Sequence, residues 1–140
     1  DASRPARGLY PAGYSHTRLL ASLTLRFKRS TLRFMSMRDQ LQAMIDAGRD
    51  TPLARFTLGE LLHRDGELDA ALIHLAEAVT QDPSYSAAWK LYGRVLLEAE
   101  RYQQAVDILA RGVQVAQDNG DNQAAREMQV FAKRAAKQTG

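Results

Sequence analysis

The apolar residues between positions 52 and 83 recur every three or four residues, which is the spacing of amphipathic helices. Leu58, Leu61 and Leu62 share one helical face, and an Asp-Gly turn follows at residues 65–66. A second stripe with the same spacing ends before Pro83, a residue that stops helices. It consists of Leu68, Ala71, Leu72, Leu75, Ala78 and Val79. The pattern predicts two antiparallel helices joined by a tight turn.

The same pattern returns immediately afterwards, so that segment 52–83 aligns with segment 86–117. Small and apolar positions are retained between the two copies, whereas charged and polar positions vary freely. The identical pairs are Ala54/Ala88, Gly59/Gly93, Leu62/Leu96, Ala71/Ala105, Leu75/Leu109, Ala76/Ala110 and Val79/Val113. Two helix-pair units with similar packing are therefore predicted.

A glycine lies in the middle of the first helix of each copy, at Gly59 and Gly93. Glycine at such a position costs about 1 kcal/mol relative to alanine, so its recurrence predicts close approach by the backbone of a neighbouring helix. Small residues in the second helices, such as Ala71, Ala105 and Gly112, indicate the same tight crossing.

These residues resemble the tetratricopeptide repeat, a helix-pair motif with a period of about 34 residues, which matches the offset between the two copies. The second copy carries the motif at Trp89, Tyr92, Gly93, Leu96, Ala105, Leu109 and Gly112. The first copy carries it at Leu58, Gly59, Leu62, Ala71, Leu75, Ala78 and Pro83. Two positions depart from the motif. Arg55 in the first copy occupies the position of the motif's tryptophan, and Gln117 in the second copy occupies that of its final proline. The resemblance implies an all-α array of antiparallel helix pairs, a short α-solenoid that serves as a scaffold for protein binding.

The flanking segments predict helices that cap the two repeats, which bury too little surface by themselves. Residues 37–48 form the first capping helix, with an apolar stripe of Met37, Leu41, Met44 and Ile45. Residues 121–137 form the last, with a stripe of Ala124, Ala125, Met128, Phe131, Ala132 and Ala135. About six helices are thus expected over residues 37–137: a capping helix, repeats at 52–83 and 86–117, and a second capping helix.

Charge separates the N-terminal segment 1–36 from this body. The chain has a net charge of +3 and a pI near 9.4, yet residues 1–36 carry +6 and the remainder −3. Proline and glycine predict an irregular course for the first part of this segment. Four interpretations stay open: a poorly ordered tail, a targeting peptide, a basic stretch for anionic surfaces, or a segment foreign to the domain. Binding of nucleic acid or an anionic membrane through it is the alternative function.

Catalytic and metal-binding patterns are absent from the sequence. It contains no cysteine, which excludes disulfides, zinc-thiolate sites and a cysteine nucleophile. Its histidines, His16, His63 and His74, do not cluster, and Glu60 with His63 makes only one of the ligand pairs that a dimetal bundle needs. We therefore expect no enzyme activity, cofactor or metal. A cysteine-free chain is compatible with the reducing cytoplasm, our expected location, and with other compartments too.

A candidate binding surface follows from the resemblance, because the first helices of successive repeats line a concave groove in such proteins. Leu53, Phe56, Glu60 and His63 share a helical face, and Ala87 begins the equivalent stripe in the second copy. The predicted groove residues are Leu53, Phe56, Glu60, His63, Lys90, Arg94 and Leu97. The last helix is expected to add Arg126, Val130 and Lys133, and Glu60 lies where it would meet Arg94 across the groove.

The chemistry of this stripe narrows the expected partner. Family members that clamp the carboxylates of chaperone C-termini carry Lys and Asn on the first groove helix, where this chain has Phe56 and Glu60. An aromatic ring beside mixed charge favours an amphipathic peptide or helix of a partner protein, and exposed apolar groove residues would also permit a homo-oligomer. The alternative is that the charged residues form a merely solvated face and that Phe56 packs on the N-terminal cap.

Overall fold

A computed structural model of the chain describes residues 35–140, and all regular secondary structure in that range is α-helical. Residues 1–34, which hold most of the basic segment, lie outside the described range. The helices are α1 (Met37–Asp46), α2 (Pro52–Arg64), α3 (Leu68–Gln81), α4 (Ser86–Glu98), α5 (Tyr102–Asp118) and α6 (Asn122–Thr139). The predicted all-α array of about six helices is confirmed.

Turn chemistry sets where the helices begin and end. The hydroxyl of Thr51 accepts a hydrogen bond of 3.1 Å from the amide of Ala54, and Pro52 opens α2. Gly66 follows α2 with a φ of +79°, the left-handed conformation that closes many helices. The equivalent position after α4 is occupied by Glu100, which adopts a φ of +61° although it carries a side chain.

The helices pack in chain order, each against the next, and α4 also contacts both α2 and α6. From α2 to α6 the contact faces follow the predicted apolar stripes, whereas in α1 the stripe was predicted wrongly: Ile45 is buried, but Met37 and Met44 are exposed. A terminal helix packs against one neighbour and so covers less of its apolar face. Large side chains that are fully buried include Leu58, Leu75, Val95, Leu96, Leu109 and Met128. The helices that begin each predicted unit, α2, α4 and α6, therefore lie side by side, and their remaining faces form one surface.

The repeated glycines make room for side chains. A Cβ atom added to Gly59 would lie 2.8 Å from both Cγ and Cδ2 of Leu75, which projects from α3. In the second repeat, a Cβ added to Gly93 would overlap the equivalent leucine, Leu109 of α5. The predicted close approach exists, but a leucine side chain makes it, whereas we had expected a helix backbone.

The two departures from the repeat motif have structural consequences. Trp89 is buried, and its indole N–H donates to the carbonyl oxygen of Pro83 at 2.8 Å. Arg55, at the equivalent position, donates two hydrogen bonds of 2.7 Å to Asp50 in the turn before its own helix. Gln117 permits α5 to continue to Asp118, so that α5 is 17 residues long where α3 has 14.

Candidate functional site

An open cavity of about 500 Å³ lies between α2, α4 and α6. We refer to it as the groove. Five of the predicted residues line it together: Phe56, Glu60 and His63 from α2, and Lys90 and Arg94 from α4. Ala87, at the start of the second stripe, lines it as well. The sequence pattern therefore predicted most of the side chains on two of the three walls, those formed by α2 and α4.

Two predicted residues lie elsewhere. Leu53, in the first turn of α2, is 64% exposed and is not part of the cavity lining. Leu97 is partly buried against the hydrophobic core. Its apolar side chain gains more from this packing than from facing an open cavity. The groove is thus shorter at both ends than the seven predicted residues implied.

None of the three residues expected from the last helix lines the cavity. Arg126, Val130 and Lys133 are exposed outside the cavity, whereas Glu127 and Phe131 line it. One residue corresponds to a rotation of about 100° around a helix. Packing against the body fixes this rotation through the buried residues Ala124, Ala125, Met128 and Ala135.

A salt bridge joins the walls formed by α4 and α6. The ammonium group of Lys90 lies 2.7 Å from a carboxylate oxygen of Glu127, and Gln123 donates to the other oxygen at 3.0 Å. These hydrogen bonds, that of Lys90 first, lower the pKa of Glu127. The positive charge of Lys90 is thereby neutralised within the protein.

A second set of contacts joins α2 to α4. Nε2 of His63 lies 2.6 Å from Glu98, and Nε of Arg94 donates to the same carboxylate at 3.2 Å. The contact considered between Glu60 and Arg94 is not formed, because Glu98 follows Arg94 by one helical turn and holds its guanidinium. Glu60 itself has no hydrogen bond or ion pair within residues 35–140.

Aromatic packing closes the end of the groove near the start of α4. The ring centroids of Phe56 and Tyr85 are 5.0 Å apart with an interplanar angle of 42°. Phe56 thus packs against the residue that precedes α4. Burial raises the pKa of the Tyr85 phenol, and the negative charges of Glu60 and Asp82 add to this effect.

Four residues of the lining were missed: Arg64, Leu91, Glu127 and Phe131. For two of them, Arg64 and Phe131, the sequence contained a pattern that could have indicated the groove. Arg64 follows Glu60 by four residues and so occupies the same helical stripe. Phe131 belonged to the predicted apolar stripe of the last helix, where it was assigned to the core. Its side chain is half-buried, so that it packs against the hydrophobic core and also lines the groove.

No metal centre is evident in the part of the chain that the structure describes, where no three His, Asp or Glu side chains are grouped to hold an ion. Glu60 and His63, considered from the sequence as a pair of metal ligands, are not hydrogen-bonded to each other, and His63 contacts Glu98 instead. Among residues 35–140 there is likewise no helix with the length and apolar character needed to cross a membrane.

Comparison with known proteins identifies the architecture. The tetratricopeptide repeat family profile matches residues 62–128. A TPR repeat-containing protein of Pseudomonas aeruginosa is 38% identical over 98 residues, which span 70% of this chain and 93% of the relative. The chain belongs to the tetratricopeptide repeat (TPR) family. TPR domains generally mediate protein–protein interactions and are generally non-enzymatic.

Solved structures agree with this assignment. The solution structure of a Bordetella parapertussis protein superimposes with a TM-score of 0.64 at 38% identity, covering 74% of this chain and 90% of the other. The TPR2B domain of yeast Sti1, solved as a complex with pHsp70, gives a TM-score of 0.67 over 89% of this chain and 99% of the other. At 17% identity, that likeness concerns the fold alone.

Proposed function

We propose that this TPR protein is a non-enzymatic adaptor that binds a peptide or helix of a partner protein in the groove between α2, α4 and α6. One observation carries the proposal: helices from separate units present Phe56 and Phe131 to a single open cavity. Aromatic side chains such as phenylalanine bury a large apolar area and contribute strongly to binding at protein interfaces. Leu91 adds apolar surface between them.

The packing beneath these rings supports a preformed site. Lys90 with Glu127 and His63 with Glu98 link neighbouring helices across the groove, but each partly exposed pair contributes well under about 1 kcal/mol to stability. The walls are held mainly by the buried residues of the three helices, such as Leu58, Leu96 and Met128. A preorganised groove loses little conformational entropy when a segment docks. Since only three helices line the groove, we expect a modest affinity.

The test is affinity capture with the full chain and two matched variants. Phe56→Ala combined with Lys90→Glu removes a ring and reverses a charge inside the groove. Ile73→Ala combined with Lys137→Glu removes an apolar side chain and reverses a charge at exposed positions of α3 and α6 outside the groove. The first variant should lose the partner and the second should retain it, both with wild-type circular dichroism. If the groove variant retains every captured partner, the assignment of the groove is wrong.

Binding of nucleic acid or anionic membranes through residues 1–36 stays the alternative prediction, and nearly all of that segment lies outside the described residues. Binding of this kind should weaken steeply with salt and should vanish when Arg26, Lys28 and Arg29 are replaced by glutamine in the full chain. Groove binding should survive those replacements. The cytoplasmic location and a homo-oligomeric state likewise stay predictions.

A further inference from the structure

Glu60 is the acidic residue of the groove whose charge is not used internally. Glu127 is held by Lys90, and Glu98 by His63 and Arg94. Glu60 is half-buried in the wall formed by α2 and has no ion pair or hydrogen bond within residues 35–140. A carboxylate that is partly withdrawn from water in this way gains more from a cationic partner than a fully exposed one.

The nearest basic residue on the same helix does not meet this need. Arg64 follows Glu60 by four residues, the spacing at which a glutamate and an arginine often pair on a helix surface. No such pair forms, and Arg64 remains exposed at the edge of the cavity. The guanidinium of Arg64 is therefore solvated, and the Glu60 carboxylate stays open to a ligand.

Aromatic residues lie beside this carboxylate. Phe56 precedes Glu60 by one helical turn, lines the same cavity and packs at 5.0 Å on Tyr85. The negative charge of Glu60 contributes to the raised pKa of the Tyr85 phenol, as expected for groups that are close in space. A carboxylate next to aromatic rings is an environment that attracts ammonium and guanidinium groups, through ion pairing and cation–π attraction.

We propose that Glu60 and Phe56 form a subsite for a lysine or arginine side chain of the partner segment. The inference rests on the proposed function, because it names the chemistry of what the groove holds. The partner is a segment with a basic residue for this subsite and an apolar residue that reaches Leu91 and Phe131 on the opposite wall. The other charges of the groove leave room for such a segment, because Lys90 and Arg94 are already paired with acids. The remaining cation of the lining, Arg64, is exposed at the edge of the cavity, where water and salt screen its charge more than that of the half-buried Glu60.

The experiment uses the isotope-labelled full chain and short random peptides displayed on phage. Peptides selected on the wild-type chain are synthesised, and their location is read from NMR chemical-shift changes at Phe56, Lys90 and Phe131. The affinity of groove-binding peptides is then measured for the wild type, for Glu60→Gln and for Asp107→Asn. Asp107 is an exposed acid on α5 without a hydrogen bond or ion pair in residues 35–140, so the last variant removes one negative charge outside the groove.

We expect the groove-binding peptides to be enriched in lysine or arginine beside an apolar residue. Glu60→Gln should weaken them by about tenfold, the range of a hydrogen bond to a charged group, whereas Asp107→Asn should leave their affinity unchanged. A peptide with glutamate in place of its basic residue should bind Glu60→Lys better than it binds the wild type. This rescue distinguishes a direct contact from a general loss of negative charge.

The outcomes separate this proposal from the one on which it rests. Groove-binding peptides without enrichment in basic residues, or an affinity for Glu60→Gln within about twofold of the wild type, would overturn the subsite and leave the groove function standing. Selected peptides whose shift changes lie outside the groove, or a selection that yields no specific peptide, would overturn the proposed function itself.

Discussion

Replacing Gly93 by alanine tests the packing that joins the two helices of the second repeat. Gly93 is buried in α4, and a Cβ atom at this position would lie 2.5 Å from Cγ of Leu109 and closer still to its Cδ2. Leu109 is fully buried in the core. Its branch point cannot swing into solvent, so the added methyl group must displace α5 or force Leu109 from its rotamer.

Two opposing contributions decide the sign of the effect. Alanine is favoured over glycine inside a helix by about 1 kcal/mol, whereas overpacking a filled core typically costs about 1–3 kcal/mol. Because the overlap at Gly93 involves a buried branch point, we expect Gly93→Ala to lower the free energy of unfolding by about 1 kcal/mol. Gly59→Ala should cost less, since the corresponding distances to Leu75 are 2.8 Å.

A double-mutant cycle isolates the packing contribution. Leu109→Ala alone should destabilise the full chain by about 2–5 kcal/mol, because it leaves a cavity. In that background Gly93→Ala should become stabilising by up to about 1 kcal/mol, since the clash is gone and the helix preference remains. The assay is urea unfolding followed by circular dichroism. Ala110→Gly on the exposed side of α5 calibrates the helix preference in this protein.

The reasoning is refuted if Gly93→Ala stabilises the wild-type chain by the amount that Ala110→Gly destabilises it. The glycine would then be a neutral feature of the helix, and its recurrence at the same position of both repeats would have no packing cause. A change of the same sign and size in both backgrounds of the cycle would lead to the same conclusion, because it would show that Gly93 and Leu109 are not coupled.

Three further predictions concern single positions. Glu100→Gly should raise the free energy of unfolding by about 0.5–1 kcal/mol in urea unfolding, because the residue adopts a φ of +61° and relief of that strain exceeds the entropy that glycine loses on folding. Burial and Arg55 lower the pKa of His74 from 6.5, so wild-type stability should fall as pH decreases below 6.5, when unfolded His74 binds a proton more readily. His74→Asn, which keeps an acceptor for Arg55, should abolish that part of the pH dependence in parallel urea titrations. Arg111→Met should cost about 0.5–1 kcal/mol and be visible in Trp89 fluorescence, because the guanidinium lies 4.9 Å from the ring centroid.

The fold was predictable because the repeat preserves side-chain volume. Leu75 and Leu109 occupy the space left by Gly59 and Gly93, so a change at one position requires a change at its neighbour. Interiors packed at crystal-like density permit few such combinations. Two copies that share these small and large positions therefore indicate one packing arrangement. Glycine or proline marks the turns between helices except the one after α4, where Glu100 takes the place of glycine.

The groove was less predictable because its side chains are constrained by fewer neighbours. Phe131 and Glu127 enter it through the rotation of α6, which is set by the burial of Ala124 and Met128. The predicted apolar stripe of α6 includes every residue of that helix that is buried, but the stripe alone does not say which of the positions beside it face the groove. That depends on how α6 lies against both α4 and α5, which is a property of the tertiary arrangement.

The charges of the groove show why equivalent positions need not have equivalent roles. Glu60 and Arg64 in α2 correspond to Arg94 and Glu98 in α4 of the next repeat, with the signs reversed. In α4, Arg94 and Glu98 form a salt bridge, and His63 from the neighbouring helix also contacts Glu98. In α2 no third group within residues 35–140 contacts the charged groups of Glu60 and Arg64, and the equivalent salt bridge does not form. An isolated surface pair is worth too little to order two long side chains, and the additional neighbour decides which carboxylate is used internally and which remains for a ligand.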